Sequence, residues 1–117
     1  PDHSLLVEIY LWEQDVEAAW QAANTGSCGE ALWLQLAGLR EKIHPRDAIR
    51  VYRMFIGPIV ERTINDAYAQ AAGLLRRVKR LMGQLGEEGE FREYLARIRG
   101  EYNRKRNLMK LLEKFGE

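Results

Sequence analysis

Residues 66–86 read DAYAQAAGLLRRVKRLMGQLG. Tyr68, Ala71, Ala72, Leu75, Val78 and Met82 recur mainly at steps of three and four, which places them along one face of a helix. Arg76, Arg77 and Arg80 fall off that stripe, and Gly86 suits the left-handed residue that stops a helix. Proline occurs only at positions 1, 45 and 58, and β-branched residues never gather into alternating runs. Strands have no signal here, so the chain reads as all-α.

The same logic extends outward. Ser4 reads as the N-cap of a first helix reaching about Trp12, and Asp15 as the cap of a second, VEAAWQAANTG, ending at Gly26. After the loop TGSCG a third helix, EALWLQLAGLREKI, offers Leu32, Leu36, Leu39 and Ile43 as its core stripe. His44 and Pro45 turn the chain, with Pro45 suited to a first helical position. The fourth helix, RDAIRVYRMFIGPIVER, aligns Ala48, Ile49, Tyr52, Phe55, Ile56 and Ile59, and Gly57-Pro58 is expected to kink or end it. The sixth, EEGEFREYLARIRGEYNRKRNLMKLLEKFG, opens with acids suited to a helix N-terminus and aligns Phe91, Tyr94, Leu95, Ile98 and Tyr102. Beyond Asn103 the apolar phase shifts, so Gly100 to Asn107 bends or splits that helix. Residues 108–115 then form a terminal cap with Leu108, Leu111, Leu112 and Phe115 on its inner stripe.

At 117 residues the chain makes one domain, 1–117. A hydrophobic share of 46% beside 30% charge argues against disorder. No apolar run approaches the roughly 18–20 residues that span a bilayer, so no membrane partner is expected. The start at Pro1 points to a piece of a longer protein, no leader is apparent, and the lone Cys28 fits a reducing cytoplasm. Residues 1–44 carry seven acids against Arg40 and Lys42, a net of −5, whereas the rest holds 16 basic and 10 acidic side chains, a net of +6. Such polarity orients a partner or a neighbouring domain.

Six helices with short joins imply antiparallel hairpins stacked side by side, an α-solenoid of tetratricopeptide-like type. DVEAAWQAA resembles the second half of a tetratricopeptide unit, and WLQLA followed by DAIRVY resembles a whole one. YAQAAGLL followed by FREYL is a looser third instance, and the repeat is divergent. Three further marks stand out: HP..A..VY from His44 to Tyr52, AY..AA.LLRR from Ala67 to Arg77, and F..YL..IR…RKRNLM.LL from Phe91. With these the chain resembles the helical C-terminal region of bacterial SWIM zinc-finger proteins. That resemblance implies the helical-repeat region of such a protein, and it carries over no zinc site, since the C-x-C…C-x-H motif of the finger is absent from this sequence.

Chemistry-bearing residues are sparse. Cys28, His3 and His44 are the soft ligands, too scattered for a structural zinc site, and no cofactor is expected. Ser4 and Ser27 are the only serines, neither in a nucleophile elbow, so no enzyme is expected. The aromatics read first as packing, and Trp12, at a helix end before a polar turn, is the best partner-gripping residue. Arg76, Arg77, Lys79 and Arg80 would join Arg97, Arg99, Arg104, Lys105 and Arg106 in one basic patch if the fifth and sixth helices pair antiparallel. The resulting expectation is a non-enzymatic protein-interaction scaffold, with a nucleic-acid-binding module acting through that patch as the alternative.

Overall fold

A computed structural model of the chain describes residues 1–116. Seven α-helices follow one another: α1 (Ser4–Trp12), α2 (Val16–Thr25), α3 (Glu30–Arg40), α4 (Pro45–Val60), α5 (Asn65–Gln84), α6 (Glu88–Glu101) and α7 (Arg106–Leu112). A 3₁₀ turn, Glu113–Phe115, closes the described chain. Among the described residues there is no strand, and Asp2 and Ser27 form an isolated bridge. The chain divides into two units, Pro1–Val51 and Tyr52–Glu117.

In the first unit α1 packs on α2 and on α3, and α2 packs on α3. α1 ends in a Schellman motif: Asp15 N–H donates to the Tyr10 carbonyl at 2.9 Å and Gln14 N–H to that of Leu11 at 3.0 Å. Gln14 takes the left-handed conformation, φ 61°, that glycine usually supplies there. Asp15 then caps α2 as expected, its side chain accepting from Ala18 N–H at 3.0 Å. The α1 cap differs from the expectation. His3 is the boundary residue, the Ser4 N–H donates to the Asp2 carboxylate at 2.7 Å, and the Ser4 hydroxyl accepts from Gly29 N–H at 3.0 Å. His3 pins the segment further, its Nδ1 lying 2.8 Å from the Ala22 carbonyl oxygen.

Arg40 is the buried charge of this unit, 6% exposed. It donates to Glu17 at 2.8 Å and to Asp47 at 2.9 Å, and its guanidinium lies 4.5 Å from the Trp20 ring centroid. The Trp20 ring in turn meets Trp33 edge-on at 5.8 Å. Burial opposes the charge on Arg40, but its two carboxylates outweigh that and hold its pKa above the ordinary value. The donated bond from Arg40, with a second from Gln21, holds Glu17 below the usual carboxylate range.

The α3 stripe is a correction. Leu36 is buried, together with Trp33, Ala37 and Arg40, whereas Leu39 and Ile43 are 52% and 80% exposed. Helical spacing finds an apolar face equally well through Trp33–Leu36–Ala37–Arg40, and burying the indole and the ion-paired guanidinium turns Leu39 outward. Ile43 lies past the helix end.

Of the two outcomes expected at Gly57-Pro58, the ending does not occur: α4 runs on to Val60 with Pro58 inside it. Pro58 sits in the last turn, where its missing N–H removes a single bond, and Glu61 N–H still reaches the Gly57 carbonyl at 3.0 Å. The stop comes at Thr63, φ 55°.

In the second unit α5 packs against both α6 and α7. All six residues of the α5 stripe are buried, and Leu74 and Leu81 widen it. Gly86, φ 73°, forms the expected stop, with Glu87 N–H donating to the Met82 carbonyl at 2.8 Å. Phe91, Tyr94, Leu95, Ile98 and Tyr102 are buried as the α6 pattern requires. The sixth helix splits rather than bends: α6 ends at Glu101, and α7 begins at Arg106, giving seven helices where about six were expected. Leu108, Leu112 and Phe115 turn inward, with the Phe115 ring 6.2 Å from that of Phe91.

Candidate functional site

The residues singled out in the sequence lie in two surroundings, one in each unit. In the first unit α1 is apolar nearly all round, but its neighbours cover only one side. Val7 is buried and Tyr10 and Leu11 are half-buried, spaced three and four apart on the inner face. The opposite face carries Leu5, Glu8, Ile9 and Trp12. Leu5 is 70% exposed, Ile9 44% and Trp12 86%. An apolar ridge at i, i+4 and i+7 ending in an indole is the pattern of a helix that meets another helix or a groove. Its surroundings are acidic. No lysine or arginine occurs before Arg40, and Glu8, Glu13 and Asp15 are all exposed.

In the second unit the exposed off-stripe face of α5 is cationic. Arg76, Lys79 and Arg80 converge with Lys114 on a cavity of about 490 Å³, with Gly83 and Phe115 in its lining and Glu88 as its acid. The Lys79 ammonium lies 5.8 Å from the Phe115 ring centroid. A neighbouring depression of about 690 Å³ continues along α5 past Gln70, Gly73, Leu74 and Arg77, and shares Arg76 and Arg80.

The α6 and α7 cations do not join that group. Arg97 and Arg53 flank the buried Tyr94 ring at 5.9 and 4.1 Å. Arg99 donates to the Leu112 carbonyl at 2.7 Å, an internal tie between α6 and α7. Arg104 and Lys105 line a separate depression with Glu61, Glu101 and Tyr102, where the charges balance. Arg106 is exposed at the start of α7. Lys114, Phe115, Gly83, Leu5 and Ile9 were missed in the sequence. Leu5 and Ile9 had a signal, since with Trp12 they repeat at helical spacing. Lys114 had none, because its meeting with α5 depends on how the chain folds back after α6.

Burial, and then the Asp2 charge, push the Cys28 thiol up, away from the thiolate. Among the described residues no group of three or more His, Cys, Asp and Glu is placed to hold a metal ion, and no helix is long and apolar enough to cross a membrane. Comparison with protein-family models, with curated proteins and with solved structures finds no match to this chain.

Proposed function

We propose that the chain is a non-enzymatic helical interaction module whose contact element is the outer face of α1. The observation that carries this reading is the ridge of Leu5, Ile9 and Trp12, left open on a helix whose inner face is already packed. A lone exposed leucine needs no explanation, but three large apolar side chains in one helical register do. Removing such a ridge from water stabilises a complex by several kcal/mol, on the order of 25 cal/mol per Å² of apolar area. The partner of matching chemistry is a basic amphipathic helix. Its apolar edge covers the ridge, and its lysines and arginines face Glu8, Glu13 and Asp15.

The wider reading is a tetratricopeptide-like stack in a cytoplasmic, bacterial protein of SWIM type. The packing of α1 on α2, of α2 on α3 and of α5 on α6, and the buried alanines Ala19, Ala23, Ala71 and Ala72, support the first part. The parentage rests on the HP..A..VY, AY..AA.LLRR and RKRNLM.LL motifs alone. The nucleic-acid alternative would want Arg97, Arg99, Arg104, Lys105 and Arg106 in one phosphate-contacting row with α5. Arg99 is instead engaged with a backbone carbonyl, and Arg104 and Lys105 share their depression with two carboxylates.

The test is fluorescence anisotropy with a labelled, designed amphipathic helix of leucine and lysine. Binding is expected, weakened about tenfold or more by Trp12→Ala with Ile9→Ser, since each lost anchor removes one to three kcal/mol. Glu8→Lys with Glu13→Lys weakens it and flattens its salt dependence. Equal affinity for the parent and the ridge variant overturns the reading.

A further inference from the structure

The cationic groove on α5 is independent of the α1 ridge and differs from it in both charge and shape. Arg76, Lys79, Arg80 and Lys114 surround one cavity against a single acid, Glu88. The groove is lined by more than charge. The buried Phe115 ring and the aliphatic stems of the four cations line it, and Gly83 leaves one wall bare, with nothing within 4 Å of where its Cβ would stand. A volume of about 490 Å³ falls in the range of sites that close around a compact group, about 300–1,000 Å³. The continuation past Arg77 to Gln70 lengthens the feature along α5. From Gln70 to Gly83 an α-helix rises about 20 Å, the reach of about six extended residues.

We propose that this groove is a second binding site, taking a short acidic peptide segment with one apolar anchor residue. The anchor enters the cavity beside Phe115 and Gly83, while the flanking carboxylates meet Arg76, Lys79 and Lys114. Bidentate guanidinium–carboxylate pairing gives direction to an extended segment. A polynucleotide fits this groove less well: it wants stacking platforms or a long even row of cations, and the groove's aromatic ring is buried against Phe91.

The experiment is anisotropy with three labelled probes: an Asp/Glu peptide with a central phenylalanine, the same peptide with serine in its place, and duplex DNA. The phenylalanine peptide binds, and the serine peptide binds at least about tenfold more weakly, as the loss of one buried aromatic anchor requires. Gly83→Leu fills the cavity without touching any charge, sits in a helix that favours leucine over glycine, and lowers affinity by a similar factor. Arg76→Glu with Lys114→Glu does the same through charge. Circular dichroism shows whether each variant keeps its helices. Trp12→Ala leaves peptide binding unchanged, which separates this site from the α1 ridge. Equal affinity for the two peptides, indifference to Gly83→Leu, or tighter binding of the duplex than of the phenylalanine peptide overturns the proposal.

Discussion

Truncating Leu112 probes the segment that completes the second unit. Leu112 is fully buried on α7, with Leu108 one turn before it and Phe115 after it, and α7 packs on α5. Leu112→Ala removes three carbons from water-free surroundings, about 2.4 kcal/mol at about 0.8 kcal/mol for each. The cavity left behind adds to this, because a helix tied by the Arg99 bond to the Leu112 carbonyl cannot simply collapse inward. A loss of about 3–4 kcal/mol is expected, inside the range for buried leucines. Leu112→Asp goes further, since it leaves a carboxylate unpaired in an apolar site. The control is triple reversal of Arg104, Lys105 and Arg106 to glutamate. Arg104 and Arg106 are exposed and Lys105 is half-buried, and acids at the start of α7 interact favourably with its N-terminus, so the net change stays within about 1 kcal/mol. Urea denaturation followed by circular dichroism measures all three, and hydrogen exchange on α5 to α7 locates the loss. A Leu112→Ala loss below about 1 kcal/mol, or a charge reversal as damaging as the truncation, refutes the packing argument.

Ala71, fully buried on α5, marks a close approach, so Ala71→Leu should overpack the unit and lower stability by about 1–3 kcal/mol; an unchanged melting temperature contradicts this. Gln14 holds a left-handed conformation where glycine is unstrained, so Gln14→Gly should raise stability by up to about 1 kcal/mol in thermal melts, and a loss would contradict it. Burial pushes the Tyr94 and Tyr102 hydroxyls above their ordinary pKa of 10.0. A raised folded pKa stabilises fully below the unfolded value and is lost as pH rises through the folded one. The melting temperature should therefore fall above pH 10, and Tyr94→Phe should flatten that fall; an unaltered slope would exclude Tyr94 as a cause.

The amphipathic long helices were legible in the sequence and the site was only half so. α5 and α6 announce themselves because their aromatic and aliphatic residues repeat against runs of arginine and glutamate, which leaves one choice of inner face. α3 does not, because Trp33 and Arg40 compete with Leu39 and Ile43 for the interior, and only the Glu17 and Asp47 carboxylates decide for Arg40. Trp12 was visible as an outlying aromatic, yet its ridge partners Leu5 and Ile9 pass for core until Val7, Tyr10 and Leu11 are found filling the inner face. The basic patch was legible only as a set of cations along the chain. Charge runs locate cations along the chain but not around a helix, so Arg99 and Lys105 counted equally with Arg76 until the packing of α7 on α5 brought Lys114 to it instead.

The most direct test of the interaction account is the indole N–H resonance of Trp12 in a titration with the leucine–lysine helix. Trp20 and Trp33 are buried and meet each other, so their signals report fold integrity, whereas Trp12 is open to the partner. Docking on α1 predicts a saturable shift of the Trp12 resonance, with Trp20 and Trp33 unmoved, and parallel shifts in the amides of Leu5 and Ile9. A peptide that binds while the Trp12 resonance stays in place would contradict the assignment of α1 as the contact element.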